Sequence, residues 1–112
     1  MSGELNDPRE LDEKRHEVQI LDVREPYEWD AGHIDGSIHI PLAQVMAGQE
    51  KGRLEVERRV VVVCKSGNRS ELAALMLQAR GFTAENFEGG TEAWVAAGLP
   101  LLASDGSPGQ VA

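Results

Sequence analysis

The sequence predicts an α/β protein: a small, open, mostly parallel sheet with helices on both faces. Three features of the 112 residues lead there. Val60-Val61-Val62-Val63 is an unbroken β-branched run, as a central strand requires when both faces of its sheet are covered. Strand-like stretches alternate with helix-like ones, which implies crossover connections and parallel pairing. With 41% apolar residues, the chain can bury enough surface for one compact domain, and two domains would not fit.

In chain order, Asp7-Pro8-Arg9-Glu10 reads as a helix start, with Asp7 as the cap, Pro8 at the first helical position and Glu10 placed to complete a capping box. That helix runs to about Arg15. Val18 to Val23 is apolar at Val18, Ile20, Leu21 and Val23, which suits a strand buried on most of both faces and ending at Arg24-Glu25-Pro26. Pro26 to Ala31 forms a helical turn halted by Gly32, and Gly36 to Pro41 a short strand. Gly48 to Arg59 is charged and irregular.

Beyond the valine run, Leu72, Leu75, Met76 and Ala79 fall at i, i+3, i+4 and i+7. That stripe predicts an amphipathic helix over Arg69 to Arg80, ended by Gly81. A strand near Ala84 to Phe87 leads to Gly89-Gly90, and Thr91 caps a last helix that carries Trp94 and Val95 and closes at Gly98. Trp29, Phe82, Phe87 and Trp94 are expected to pack in the core or line a groove wall. One domain is expected over residues 1–102, and the Ser-, Gly- and Pro-containing residues 103–112 read as a flexible tail.

Nineteen acidic residues against eleven basic ones give a net charge of -8, which works against nucleic-acid binding and against an anionic membrane surface. No apolar run approaches the roughly 18 residues that span a bilayer, and the acidic start Met-Ser-Gly-Glu-Leu-Asn-Asp is unlike a secretory signal. A cytoplasmic location is expected. The single cysteine has no disulfide partner in the chain, and with His16, His33 and His39 scattered it matches no metal-ligand spacing. No metal and no separate cofactor are expected.

Chemistry concentrates where the valine run ends. Cys64-Lys65-Ser66-Gly67-Asn68-Arg69-Ser70 joins a buried strand to a helix N-terminus, where N–H groups without helical partners can converge on an anion. Gly67 and Asn68 are the residues able to take positive φ and curl the amides into a nest. A thiol there, beside Lys65 and Arg69, should ionise more readily than a free one and stand open to attack the outer sulfur of a donor. The amides, Ser66 and Ser70 would then stabilise the charge on a persulfide, and the local positive field would draw in an anionic donor. Free cysteines are commonly small buried hydrophobes, but six polar, glycine-containing and basic residues make a poor continuation of a buried strand. Arg69, a cation in the first turn of a helix, calls for an acidic partner or a bound anion.

At these residues the chain resembles the rhodanese-like family, from about Val18 to Pro100. Four pieces match in order: Leu21 to Glu25, Gly32 to Pro41, the Cys64 loop, and Phe87 to Trp94 continuing to Gly98-Leu99-Pro100. The resemblance implies a rhodanese-like fold, with Cys64 as the active cysteine and Lys65 to Arg69 as the sulfur-cradling loop. It also implies transfer of a sulfane sulfur from a donor such as thiosulfate to a thiol or cyanide, through a persulfide on Cys64. Asp22 and Arg24 match a charged pair near the family's site and read as a structural ion pair at a strand end, with Glu28 a plausible partner for Arg24. His33 and His39 read as turn-stabilising, since a preformed thiolate needs no separate base.

Two rival functions share these residues. A cysteine phosphatase or arsenate reductase also uses a thiolate in an amide cradle with an arginine, but sets a longer spacer than the four residues between Cys64 and Arg69. An arsenate reductase would also call on a second thiol. The other rival is a binding module or persulfide carrier that serves a sulfur-accepting partner protein, which needs the same loop and differs in what docks around it.

Overall fold

The computed structural model describes residues 5–112, so the first four residues of the expected domain lie outside the described residues. Four strands form one parallel sheet: β1 (Gln19–Asp22), β2 (Ile38–His39), β3 (Val60–Val63) and β4 (Ala84–Asn86), in the order β2-β1-β3-β4. The helices are α1 (Pro8–Lys14), α2 (Pro26–Ala31), α3 (Leu42–Met46), α4 (Asn68–Ala79) and α5 (Gly90–Ala96). The expected α/β class and parallel sheet are what the structure has. The helix α3, within a stretch for which the sequence suggests no element, is the addition.

Period-two alternation sorts the sheet residues into two cores. Leu21, Val60 and Val62 face one side with Ala73, Ala74 and Leu77 of α4 and Val45 of α3. Ile20, Val61 and Val63 face the other with Leu11, Phe87 and Trp94. Both faces being covered explains why all four residues of β1 and all four of β3 are buried. Cys64 continues the alternation past the end of β3 and falls on the α4 side.

The α4 helix buries a different face from the one its apolar stripe suggests. Ser70, Ala73, Ala74 and Leu77 are its buried residues, at the same i, i+3, i+4, i+7 spacing. Leu72 and Leu75 remain 43% and 57% exposed. Small side chains let α4 lie close on the sheet, and the hydroxyl of Ser70 is wanted inside, so bulk is not what decides the orientation. At the start of the chain, Asp7 caps α1 as expected, its Oδ1 accepting from the Arg9 N–H at 3.1 Å.

Two other end effects depart from expectation. Thr91 does not cap α5: Gly89 does, and Thr91 sits inside the first turn, fully buried. Residues 103–112 fold back on the body: the Gly109 N–H donates to the Leu101 carbonyl at 2.8 Å and the Gln110 N–H to the Ala31 carbonyl at 3.0 Å. Val111 packs against the second core. Among the described residues no helix is long and apolar enough to cross a membrane.

The exchanged face of α4 has a measurable consequence. Leu77→Ala should cost about 2–5 kcal/mol in a urea unfolding experiment, as for a filled core position. Leu72→Ala and Leu75→Ala should each fall well below that, within about 1 kcal/mol.

Candidate active site

In the sheet order, the connection from β1 turns one way to β2 while β3 lies on its other flank, so the chain reverses direction between β1 and β3. Crevices at the carboxyl ends of strands at such a reversal are where α/β sheets bind ligands. Asp22 pairs in register with Val63 there, which brings Asp22 and Arg24 beside the Cys64 loop.

The Cys64 sulfur is ringed by donors. The Gly67 N–H donates to Sγ at 3.1 Å and the Ser70 N–H at 3.4 Å, while Ser70 Oγ lies 3.2 Å away. This follows from local structure: β3 aims Cys64 at the α4 face, and α4 starts within reach, so first-turn amides without helical partners point at the sulfur. Gly67 makes the bend at φ 99°, and a Cβ there would stand 2.1 Å from the Glu88 carbonyl oxygen. No other residue type fits.

The far side of the loop is pinned by α5. Thr91 and Glu92 donate their N–H groups to the carbonyls of Cys64 and Lys65, at 2.8 and 3.2 Å. A Cβ on Gly90 would lie 2.3 Å from the Lys65 carbonyl oxygen, so this glycine is what allows the helix to approach.

Two expectations about the loop are corrected. The sulfur does not stand open: Cys64 is 1% exposed and belongs to the first core cluster, because it continues the buried valine alternation. Asn68 does not take positive φ; among the described residues only glycines do, and Asn68 is the first residue of α4. Ser66 is exposed beside a hollow of about 180 Å³, and its amide is among the groups that favour the thiolate. Gly67, Asn68, Glu71, Asn86 and Glu88 complete that hollow.

Burial pushes the Cys64 thiol up, but the Ser70 hydroxyl and the amides of Ser70, Ser66 and Gly67 outweigh it and hold the thiol below its ordinary value. The amides and Ser70, more than the Lys65 and Arg69 charges that the sequence suggests, favour the thiolate. Lys65 is half-buried, at the loop's start.

Arg69 has the acidic partner its position demands. Its guanidinium forks onto Glu28 of α2, with Nη1 to Oε1 at 2.7 Å and Nη2 to Oε2 at 2.9 Å. Those bonds raise the Arg69 pKa and, against the effect of burial, lower that of Glu28. Glu28 is therefore the partner of Arg69 and not, as the sequence suggests, of Arg24. Arg24 is wholly buried on Asp22, with Nη2 to Oδ2 at 2.7 Å, and the same nitrogen donates to the Gly32 carbonyl at 2.7 Å. This ties the end of β1 to the end of α2 and is a structural pair.

His33 and His39 are also tied to main-chain carbonyls, His33 Nδ1 to that of Trp29 at 2.9 Å and His39 Nε2 to that of Arg24 at 2.8 Å. Both imidazoles stack on Trp29, with ring centroids 3.7 and 4.7 Å apart. Asn86 joins the site without any local signal in the sequence, and Glu28, Gly90 and Thr91 join it in roles that the sequence does not suggest. For Gly90, the Gly-Gly pair in the fourth matching piece was the available pointer.

The family model described as Rhodanese-like domain matches residues 7–97. The Mycobacterium tuberculosis protein named probable adenylyltransferase/sulfurtransferase MoeZ is 36% identical over 96 residues, which cover 82% of this chain but 24% of that protein. The chain thus spans about a quarter of that relative. A sulfurtransferase of Allochromatium vinosum is 32% identical over 91 residues, covering 80% of this chain and 83% of its own length. The crystal structure of a rhodanese-related protein from Thermoplasma volcanium superposes with a TM-score of 0.76 at 35% identity, covering 85% of this chain and 93% of that one.

The Glu28–Arg69 fork yields a stability prediction with a definite pH sign. Glu28→Gln should lower stability by about 1–2 kcal/mol, less than for a fully enclosed pair because Arg69 stays partly open to water. A carboxyl held below its usual 4.5 contributes stability that is complete above that pH and lost as pH falls through the folded value. The gap between wild type and Glu28→Gln, read from urea midpoints, should therefore be full at neutral pH and close in acid.

Proposed function

The chain belongs to the rhodanese-like domain family, and on that premise we propose that it is a sulfurtransferase working through a persulfide on Cys64. The sulfane sulfur would come from a small anionic donor such as thiosulfate and pass to a thiol or cyanide acceptor. The observation that carries the reading is the pair of main-chain donors on Sγ, the Gly67 and Ser70 amides, with the Ser70 hydroxyl 3.2 Å away.

In the first step the Cys64 thiolate attacks the outer sulfur of thiosulfate. A bond forms between Sγ and that sulfur, and the donor's S–S bond breaks, its electron pair leaving on sulfite. The negative charge then rests on the terminal sulfur of the persulfide, which the loop amides stabilise. In the second step cyanide or a thiolate attacks that terminal sulfur, and the Cys64 S–S bond breaks to regenerate the thiolate. With a preformed thiolate neither step needs a general base, in keeping with the structural engagements of His33 and His39.

The phosphatase reading fares worse. The spacer between Cys64 and Arg69 is four residues, and the guanidinium that would grip a phosphate is forked onto Glu28. At 1% exposure, Cys64 favours delivery of a single sulfur atom over entry of a tetrahedral oxyanion.

A carrier role toward a protein acceptor is the second reading, and the rim of the loop favours it. Glu71 and Glu88, both exposed, line the hollow beside Ser66 and Asn68, and two carboxylates there suit a basic protein surface better than free anions.

Parallel incubation with thiosulfate, mercaptopyruvate and an aryl phosphate tests the proposal. Thiosulfate should add the mass of one sulfur atom to the wild type and none to Cys64→Ser, and cyanide should release the sulfur as thiocyanate. Turnover that survives in Cys64→Ser, or hydrolysis of the aryl phosphate, would refute it. A persulfide that forms readily but passes slowly to cyanide would select the carrier role.

A further inference from the structure

Ser70, fully buried, stands between two groups that want its proton. Its Oγ lies 3.2 Å from Cys64 Sγ and 2.5 Å from Asn86 Oδ1. Asn86, at the end of β4, holds its other side-chain atom, Nδ2, on the Gly67 carbonyl at 3.0 Å. A carbonyl can only accept, which fixes the Asn86 amide with nitrogen toward Gly67 and oxygen toward Ser70. That amide oxygen also only accepts, so the Ser70 hydroxyl proton lies toward Asn86.

Ser70 then turns lone pairs to the sulfur, and a protonated thiol completes the chain: S–H to Oγ, O–H to Oδ1, N–H to the Gly67 carbonyl. A thiolate reverses it. The hydroxyl proton must swing to the sulfur, leaving Oγ and Oδ1 facing each other as two acceptors, an arrangement that costs free energy.

We propose that Asn86 is a positioning residue for Cys64: by competing for the one proton of Ser70 it sets how readily the sulfur ionises. The Ser70 proton changes partner between Asn86 and Cys64 each time the sulfur gains or loses charge. The inference rests on Cys64 being the nucleophile of the proposed reaction. When the persulfide forms, charge moves to the terminal sulfur, Sγ becomes a weak acceptor, and the proton returns to Asn86. When the acceptor takes the terminal sulfur, the proton swings back. Only a hydroxyl rotates.

Other charges surround the sulfur without touching this chain. Arg69 of α4 acts on Cys64 through space while forked onto Glu28 of α2, where Tyr27 also lies near it. Lys65 follows Cys64 in the loop, Asp22 and Arg24 pair at the end of β1, and Glu71 and Glu88 line the hollow. The bonds of Ser70 Oγ and of the Asn86 side chain run to Cys64, to each other and to Gly67.

The test is the pH dependence of iodoacetamide alkylation of Cys64 in the wild type, Ser70→Ala, Asn86→Ala and the double variant. Ser70→Ala should raise the midpoint by about one pH unit, the loss of one hydrogen bond to a charged sulfur. Asn86→Ala should lower it by roughly half a unit, because Ser70 is freed to serve the sulfur alone. The double variant should match Ser70→Ala. A merely structural Asn86 would, when removed, loosen the Gly67 bend and withdraw amides, which moves the midpoint up. An Asn86→Ala midpoint at or above wild type, or a double variant displaced from Ser70→Ala, overturns the proposal. Should Asn86→Ala fail to fold, the side-chain amide resonances of Asn86 in the wild type provide the reading. They should shift with the Cys64 midpoint, and constancy overturns the proposal. Alkylation reads the thiol alone, so failure of the sulfur-transfer reading would appear separately, as no adduct from thiosulfate with these shifts intact.

Discussion

The structure turns on main-chain N–H groups meeting a sulfur atom that has almost no contact with water. Cys64 is as buried as the valines before it, which by itself keeps a thiol neutral. What changes the outcome is that the strand carrying the sulfur ends where α4 begins, so the orphan amides of a helix start are spent on Sγ. Burial and donation act together: in a dry setting each donor is worth more than it would be in water.

Much of the surrounding fold reads as the means of holding that loop still. Gly67 and Gly90 admit backbone contacts from Glu88 and Lys65 that any side chain would block. α5 caps the carbonyls of Cys64 and Lys65, and α2 supplies Glu28 to hold Arg69. The two ion pairs differ in kind. Asp22–Arg24 is sealed and ties two elements together, whereas Arg69–Glu28 anchors the start of α4 at the edge of the site and leaves Arg69 with little free charge for a substrate.

The layout was legible in the sequence where backbone physics is local. The valine run, the alternation around Ile20 and Leu21, and the Pro8 and Pro26 helix starts all mark elements the structure has. So does the need of Arg69 for an acidic partner, because a cation in a first helical turn is costly. Legibility failed where tertiary geometry overrides local pattern. The stripe of Leu72 and Leu75 looked like the buried face of α4, yet the sheet takes the small residues and Ser70 instead. Thr91 has the chemistry of a cap but is held inside the first turn of α5. Glu28 and Asn86 reach the site from α2 and β4, and nothing in their own neighbourhoods announces it. The tail is placed by contacts with Ala31 and Leu101 that composition does not encode.

At Cys64 the donors outweigh burial. Because the chain has one cysteine, the ultraviolet absorbance of its thiolate can be followed against pH as the difference between native wild type and Cys64→Ser. The absorbance should rise with a midpoint below the value of about 8.5 found for a free thiol. A midpoint at or above that value would mean that burial wins, and that the amides around the sulfur do not make it a nucleophile.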